Sequence, residues 1–78
     1  MILDKIYVFY TDTCPTCPAF KAVAVEKFDA ENLTFVNGTS EEGKILAEKY
    51  SIASVPVLVI DSENDVVKFD TIEALNKL

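Results

Sequence analysis

The stretch Lys5-Ile6-Tyr7-Val8-Phe9-Tyr10-Thr11-Asp12-Thr13-Cys14-Pro15-Thr16-Cys17-Pro18 decides how the rest of the chain is read. After Lys5, five aliphatic or aromatic residues follow with no polar alternation, the pattern of a strand buried on both faces. Thr11 to Thr13 is a short polar turn. Pro15 suits the first position of a helix, because its missing amide proton would have no helical partner there. Cys17, Phe20, Ala24 and Phe28 recur at steps of three and four, on one helical face. A helix is therefore expected from Pro15 to about Asp29 or Ala30, with Pro18 in or just beyond its first turn.

Downstream, Leu33-Thr34-Phe35-Val36 within Asn32 to Asn37 reads as a second strand. Asn37-Gly38 fits a hairpin turn. Thr39 followed by Glu42, however, makes a capping box, and Ile45, Leu46, Lys49 and Tyr50 continue at helical spacing. A strand-to-helix loop is the expectation. Ser51 to Ser54 is a loop, and Val55 to Ile60 is a third strand whose start Pro56 marks. Asp61 to Asp65 is a polar turn into a fourth strand, Val66 to Phe69, paired with the third. Thr71 caps a last helix with Ile72, Leu75 and Leu78 on one side. The order is β-α-β-α-β-β-α in one α/β domain spanning 1–78. Its first strand, helix and second strand form a parallel unit, and helices cover both faces of the sheet.

Composition narrows the function. The chain has 78 residues, half of them hydrophobic, enough for one core. Thirteen acidic against seven basic residues give a net charge of −6. That field repels phosphate backbones, and no arginine is present to make bidentate contacts, so nucleic acid is not an expected partner. The longest apolar run, Val55 to Ile60, falls far short of the ~20 residues that span a bilayer. Met1-Ile2-Leu3-Asp4-Lys5 lacks the features of a secretory signal, so a cytoplasmic location is expected and the sequons at Asn32 and Asn37 read as chance matches.

The two cysteines, Cys14 and Cys17, are the candidate chemistry. A secreted scaffold held by disulfides would carry more. At a strand-to-helix junction, Cys14 lies near the unpaired amides of the first turn, which stabilise a thiolate and lower its pKa; Asp12 acts against this. Cys17 follows three positions later, spaced to close a small disulfide ring that Pro15 stiffens. In this reading Cys14 attacks a substrate disulfide and the more buried Cys17 resolves the mixed disulfide. Thr13 and Thr16 shape the ring and its access. Three alternatives stay open: two ordinary buried cysteines, a redox sensor without turnover, and a homodimer binding zinc or an iron–sulfur cluster through four thiolates. One chain supplies only two such ligands and no histidine.

Cys14-Pro15-Thr16-Cys17 after a buried strand, with Lys49-Tyr50-Ser51-Ile52-Ala53-Ser54-Val55-Pro56 downstream, resembles the thioredoxin and glutaredoxin superfamily across nearly the whole chain. Cys-Pro-Thr-Cys-Pro is most similar to the very small thioredoxin- or glutaredoxin-like proteins of archaea, bacteria and phages. The resemblance implies a thioredoxin-like fold with a four-stranded mixed sheet in the order 2-1-3-4, without the extra N-terminal strand and helix of full-length thioredoxins. It implies a cis peptide bond at Pro56 facing the cysteines, with the Val55 backbone pairing with an extended substrate. It also implies a monomer that reduces protein disulfides, holds no bound cofactor beyond its own disulfide, and is recycled by a flavin-dependent thioredoxin reductase. Ribonucleotide reductase and peroxiredoxin are the implied clients, and a glutathione-coupled glutaredoxin is the alternative. Two departures stand out. Val8 and Thr13 replace the buried aspartate and the tryptophan usual in thioredoxins. Lys68-Phe69-Asp70-Thr71 stands where glutaredoxins carry a glycine pair, leaving Asp70 and Thr71 as possible ligand contacts.

Overall fold

A computed structural model describes residues 5–77. The elements run β1 (Lys5–Tyr10), α1 (Cys17–Phe28), a single 3₁₀ turn (Ala30–Asn32), β2 (Leu33–Asn37), α2 (Glu41–Lys49), β3 (Val57–Asp61), β4 (Val66–Phe69) and α3 (Ile72–Asn76). They form one four-stranded sheet in the order β2-β1-β3-β4. β1 is parallel to β2 and antiparallel to β3, and β3 and β4 make an antiparallel hairpin. The expected element order and mixed sheet are those observed. Leu78, assigned above to the last helix, lies outside the described residues.

The unbroken apolar run of β1 is explained by two cores. Successive strand residues point to opposite faces, and both Val8 and Phe9 are fully buried. Val8 joins Phe20 and Ala24 of α1, Leu33, Leu58 and Leu75 of α3 on one face. Phe9 joins Val36, Val57, Val59 and Tyr50 on the other, where Leu46 and Ala47 of α2 pack. Burying a side chain such as Phe20 contributes about 1.5–3 kcal/mol, so the two layers, one on each side, hold β1 in place. Ile45, read above as part of the helical stripe, is 67 % exposed; Leu46 and Ala47 face the sheet instead.

Helix boundaries differ from expectation at three places, each for a local reason. α1 begins at Cys17 with Thr16 as its N-cap, and Pro18 sits in the first turn. A helix starting at Pro15 would put Pro18 at the fourth position. There the chain needs an amide that proline lacks, and the ring would strike the carbonyl one turn back. At its other end α1 stops where Asp29 adopts φ 64°, ψ 139°, and Asn32 Nδ2 donates to the Phe28 carbonyl at 2.8 Å. The cap of α2 is Ser40 rather than Thr39. Its hydroxyl accepts from the Gly43 amide at 2.9 Å and donates to the Asn37 carbonyl at 2.7 Å. Thr39 Oγ1 is turned to Asn37 Oδ1 at 2.7 Å and so is lost to the helix. Strand β3 starts at Val57, just after Pro56, and continues through Asp61. The cap read at Thr71 is present, accepting from the Ala74 amide at 3.0 Å.

Candidate active site

The site stands where β1 hands over to α1. After Tyr10 the chain turns, with the Cys14 amide donating to the Thr11 carbonyl at 3.4 Å. Cys14 and Cys17 are joined by a disulfide with Cα atoms 5.4 Å apart. Cys14 precedes the helix rather than opening it. The bond nevertheless brings its sulfur to Cys17, the first helical residue, beside the positive end of a twelve-residue helix. Thr16 makes no side-chain cap, so the first-turn amides are left without that competitor. Its hydroxyl lies 3.7 Å from Cys14 Sγ. In the disulfide state the sulfur has no proton, so the hydroxyl is the donor.

Exposure separates the two sulfurs. Cys17 is 2 % exposed and part of the core, whereas Cys14 is half-buried at the surface. Pro15, Thr16 and Thr13 are exposed around it. Pro56 has a cis peptide bond to Val55, and both residues are half-buried.

Two clefts flank this pair. One, of about 230 Å³, is lined by Thr16, Phe20, Pro56, Asp70, Thr71, Ile72 and Glu73. The structure thus gathers Thr16, Pro56, Asp70 and Thr71 around one opening. The Thr71 hydroxyl there is occupied in capping α3. The other cleft, of about 180 Å³, is bounded by Phe9, Thr11, Gly38, Ile52 and Val55 among others and, among the described residues, carries no charged side chain. Thr13 lines neither of these two clefts. Glu73 and Gly38 were missed from sequence. Glu73 was legible in principle, because a cap at Thr71 places it in the first turn of α3, next to Asp70.

The interior is apolar. Val8 is fully buried, and among the described residues no polar or charged residue is buried. Among those residues no group of three or more His, Cys, Asp or Glu is arranged to hold a metal ion, and no helix is long and apolar enough to cross a membrane. Tyr10 and Phe69 are both half-buried. Phe69 packs on the α1 side of the sheet, and Tyr10 carries the Lys21 ammonium 3.5 Å from its ring centroid.

A family model described as a thioredoxin domain matches residues 4–70. The thioredoxin of Methanocaldococcus jannaschii is 36% identical over 75 residues, covering 91% of this chain and 86% of that protein. Among solved structures, oxidized mitochondrial thioredoxin 3 from Saccharomyces cerevisiae superposes with a TM-score of 0.69 at 19% identity, covering 96% of this chain and 74% of that one. Oxidized thioredoxin O2 from Arabidopsis thaliana gives 0.71 at 15% identity, over 96% of this chain and 69% of that one. At such identities the solved structures speak to the fold.

Proposed function

The chain belongs to the thioredoxin family and is a thiol–disulfide oxidoreductase working by dithiol exchange, and from that premise we propose that it runs as a reductant of protein disulfides. Cys14 is the attacking sulfur and Cys17 the resolving one. The single observation that carries this assignment is their unequal exposure: Cys14 at the surface, Cys17 2 % exposed behind it. A thiolate must be reachable to attack, and the resolving thiol needs only to reach its neighbour.

The Cys14 thiolate attacks one sulfur of the client disulfide. A mixed disulfide forms, and the other client sulfur leaves as a thiolate and takes up a proton. Cys17 gives its proton to solvent and attacks Cys14 Sγ. The Cys14–Cys17 bond closes, and the second client sulfur departs and is protonated. The client gains two electrons and two protons, and the protein is left oxidised. The Thr16 hydroxyl, 3.7 Å from Cys14 Sγ, supports the sulfur when it carries charge. Val55, ahead of Pro56, offers its backbone to an extended client segment, and Asp70 and Thr71 border that path.

Redox partners follow from family membership. As the particular donor we favour a flavin-dependent thioredoxin reductase over glutathione, with ribonucleotide reductase or a peroxiredoxin as client. A monomer in the cytoplasm, where thiols are kept reduced, fits this role. The test is electron supply with insulin as acceptor, comparing NADPH plus thioredoxin reductase against glutathione plus glutathione reductase. Turnover only with the first pair is the expected result; turnover only with the second would make the protein a glutaredoxin.

A further inference from the structure

Resting on the disulfide-reductase reading above, we propose that Asp70 and Glu73 make this protein selective for clients that carry lysine or arginine beside the disulfide. The cleft they share opens next to the attacking sulfur. Thr16, whose hydroxyl is 3.7 Å from Cys14 Sγ, forms one wall and Pro56 another. Phe20, fully buried, closes its base. Asp70 and Glu73 are both exposed, and no lysine lines this cleft.

The contrast with the other flank gives the selectivity its direction. In an extended segment, successive side chains point to opposite sides. A client passing Val55 and Pro56 sends one side chain toward the uncharged cleft by Phe9 and Ile52. The next goes toward the two carboxylates. Lys68 borders a neighbouring depression with Asp70 and offsets part of its charge, but it does not line the cleft that holds Glu73. Exposed Asp12, in the turn before Cys14, and the net charge of −6 add to the same field. A cationic flank is drawn in, and an anionic one is held off.

The test is single-turnover reduction of three peptides by the reduced protein. Each peptide is closed by one disulfide, and they differ only in having Lys, Gln or Glu at the residues flanking the first cysteine. At low ionic strength the Lys peptide should react on the order of ten-fold faster than the Glu peptide. The gap should shrink in about 0.5 M salt. In the D70N/E73Q variant the ratio should fall toward one. A control variant, E26Q/E31Q, changes net charge equally but lies on exposed residues near the far end of α1, and it should keep the ratio. Equal rates for Lys and Glu peptides in the native protein would overturn the proposal, as would an equal loss of ratio in both variants. Failure to reduce any of the three peptides would instead bring down the reductase reading itself.

Discussion

Tyr50 Oη donates to Asp61 Oδ2 at 2.5 Å, tying the end of α2 to the last residue of β3. Tyr50 is 5 % exposed, and its ring lies 5.7 Å from that of Tyr7. Burial first, and then the Asp61 carboxylate accepting its proton, push the Tyr50 hydroxyl well above the ordinary phenol value. Below about pH 10 both the folded and unfolded chains keep this proton, and the stabilising contribution is complete. As pH rises beyond that, the unfolded chain releases a proton that the folded chain retains, so stability falls until the folded value is passed. Absorbance titration should show the Tyr50 phenol ionising only well above the ordinary phenol range. Tyr50→Phe should lower stability in urea by about 1–2 kcal/mol at neutral pH and flatten the alkaline loss. An unchanged alkaline profile would remove Tyr50 from this role.

Gly43 is a glycine in a helix, yet alanine should not improve it. Its amide donates to the Ser40 cap. A Cβ there would collide with the Asn37 carbonyl, standing 2.8 Å from its carbon. Alanine gains about 1 kcal/mol in helix propensity, while overpacking against backbone costs about 1–3 kcal/mol. The clash involves main chain that cannot swing aside, so Gly43→Ala is expected to destabilise. Ser40→Ala should cost about 1 kcal/mol through loss of the cap, and Thr39→Ala less. Urea denaturation midpoints check all three.

Asp29 is the opposite case. Its φ of 64° and ψ of 139° lie in territory that costs a side-chain-bearing residue about 1–3 kcal/mol. Glycine relieves that strain but adds about 0.5–1 kcal/mol of unfolded-state entropy. Asp29→Gly should therefore raise stability by about 1 kcal/mol. A lower melting temperature for this variant would count against the strained conformation.

For the site, the difference in exposure orders the chemistry. In the reduced protein, iodoacetamide should modify Cys14 before Cys17, read by peptide mass mapping. Cys17→Ser should accumulate a mixed disulfide with insulin, and Cys14→Ser should form none. Steady turnover by Cys17→Ser would indicate that one thiol suffices.

The strands were the most legible part of the fold, because their apolar runs are continuous and their breaks are marked. The boundaries of β1 and β4 match the reading to the residue. The start of α1 was not, because two prolines competed for the first turn. Pro15 looked suitable taken alone, and only the demand for an amide at Pro18 excludes it. The α2 cap went to Ser40 because the Asn37 side chain claims Thr39, a choice between neighbours that spacing does not resolve. Tyr50 was placed on a helix, but its partner Asp61, across the second core, depends on tertiary packing. At the site the cysteine pair and Pro56 were legible from motif and position. The Thr71 cap puts Glu73 in the first turn of α3, but that this turn borders the cysteine loop depends on how α3 docks against α1, which no local pattern shows.

The absence of buried polar side chains among the described residues has an electrochemical consequence. Among the described residues no carboxylate is buried to gain or lose a proton as the sulfurs change state. The couple therefore consumes one proton for each electron. Its midpoint potential should follow solvent acidity along one straight line, unbroken until the thiols themselves ionise.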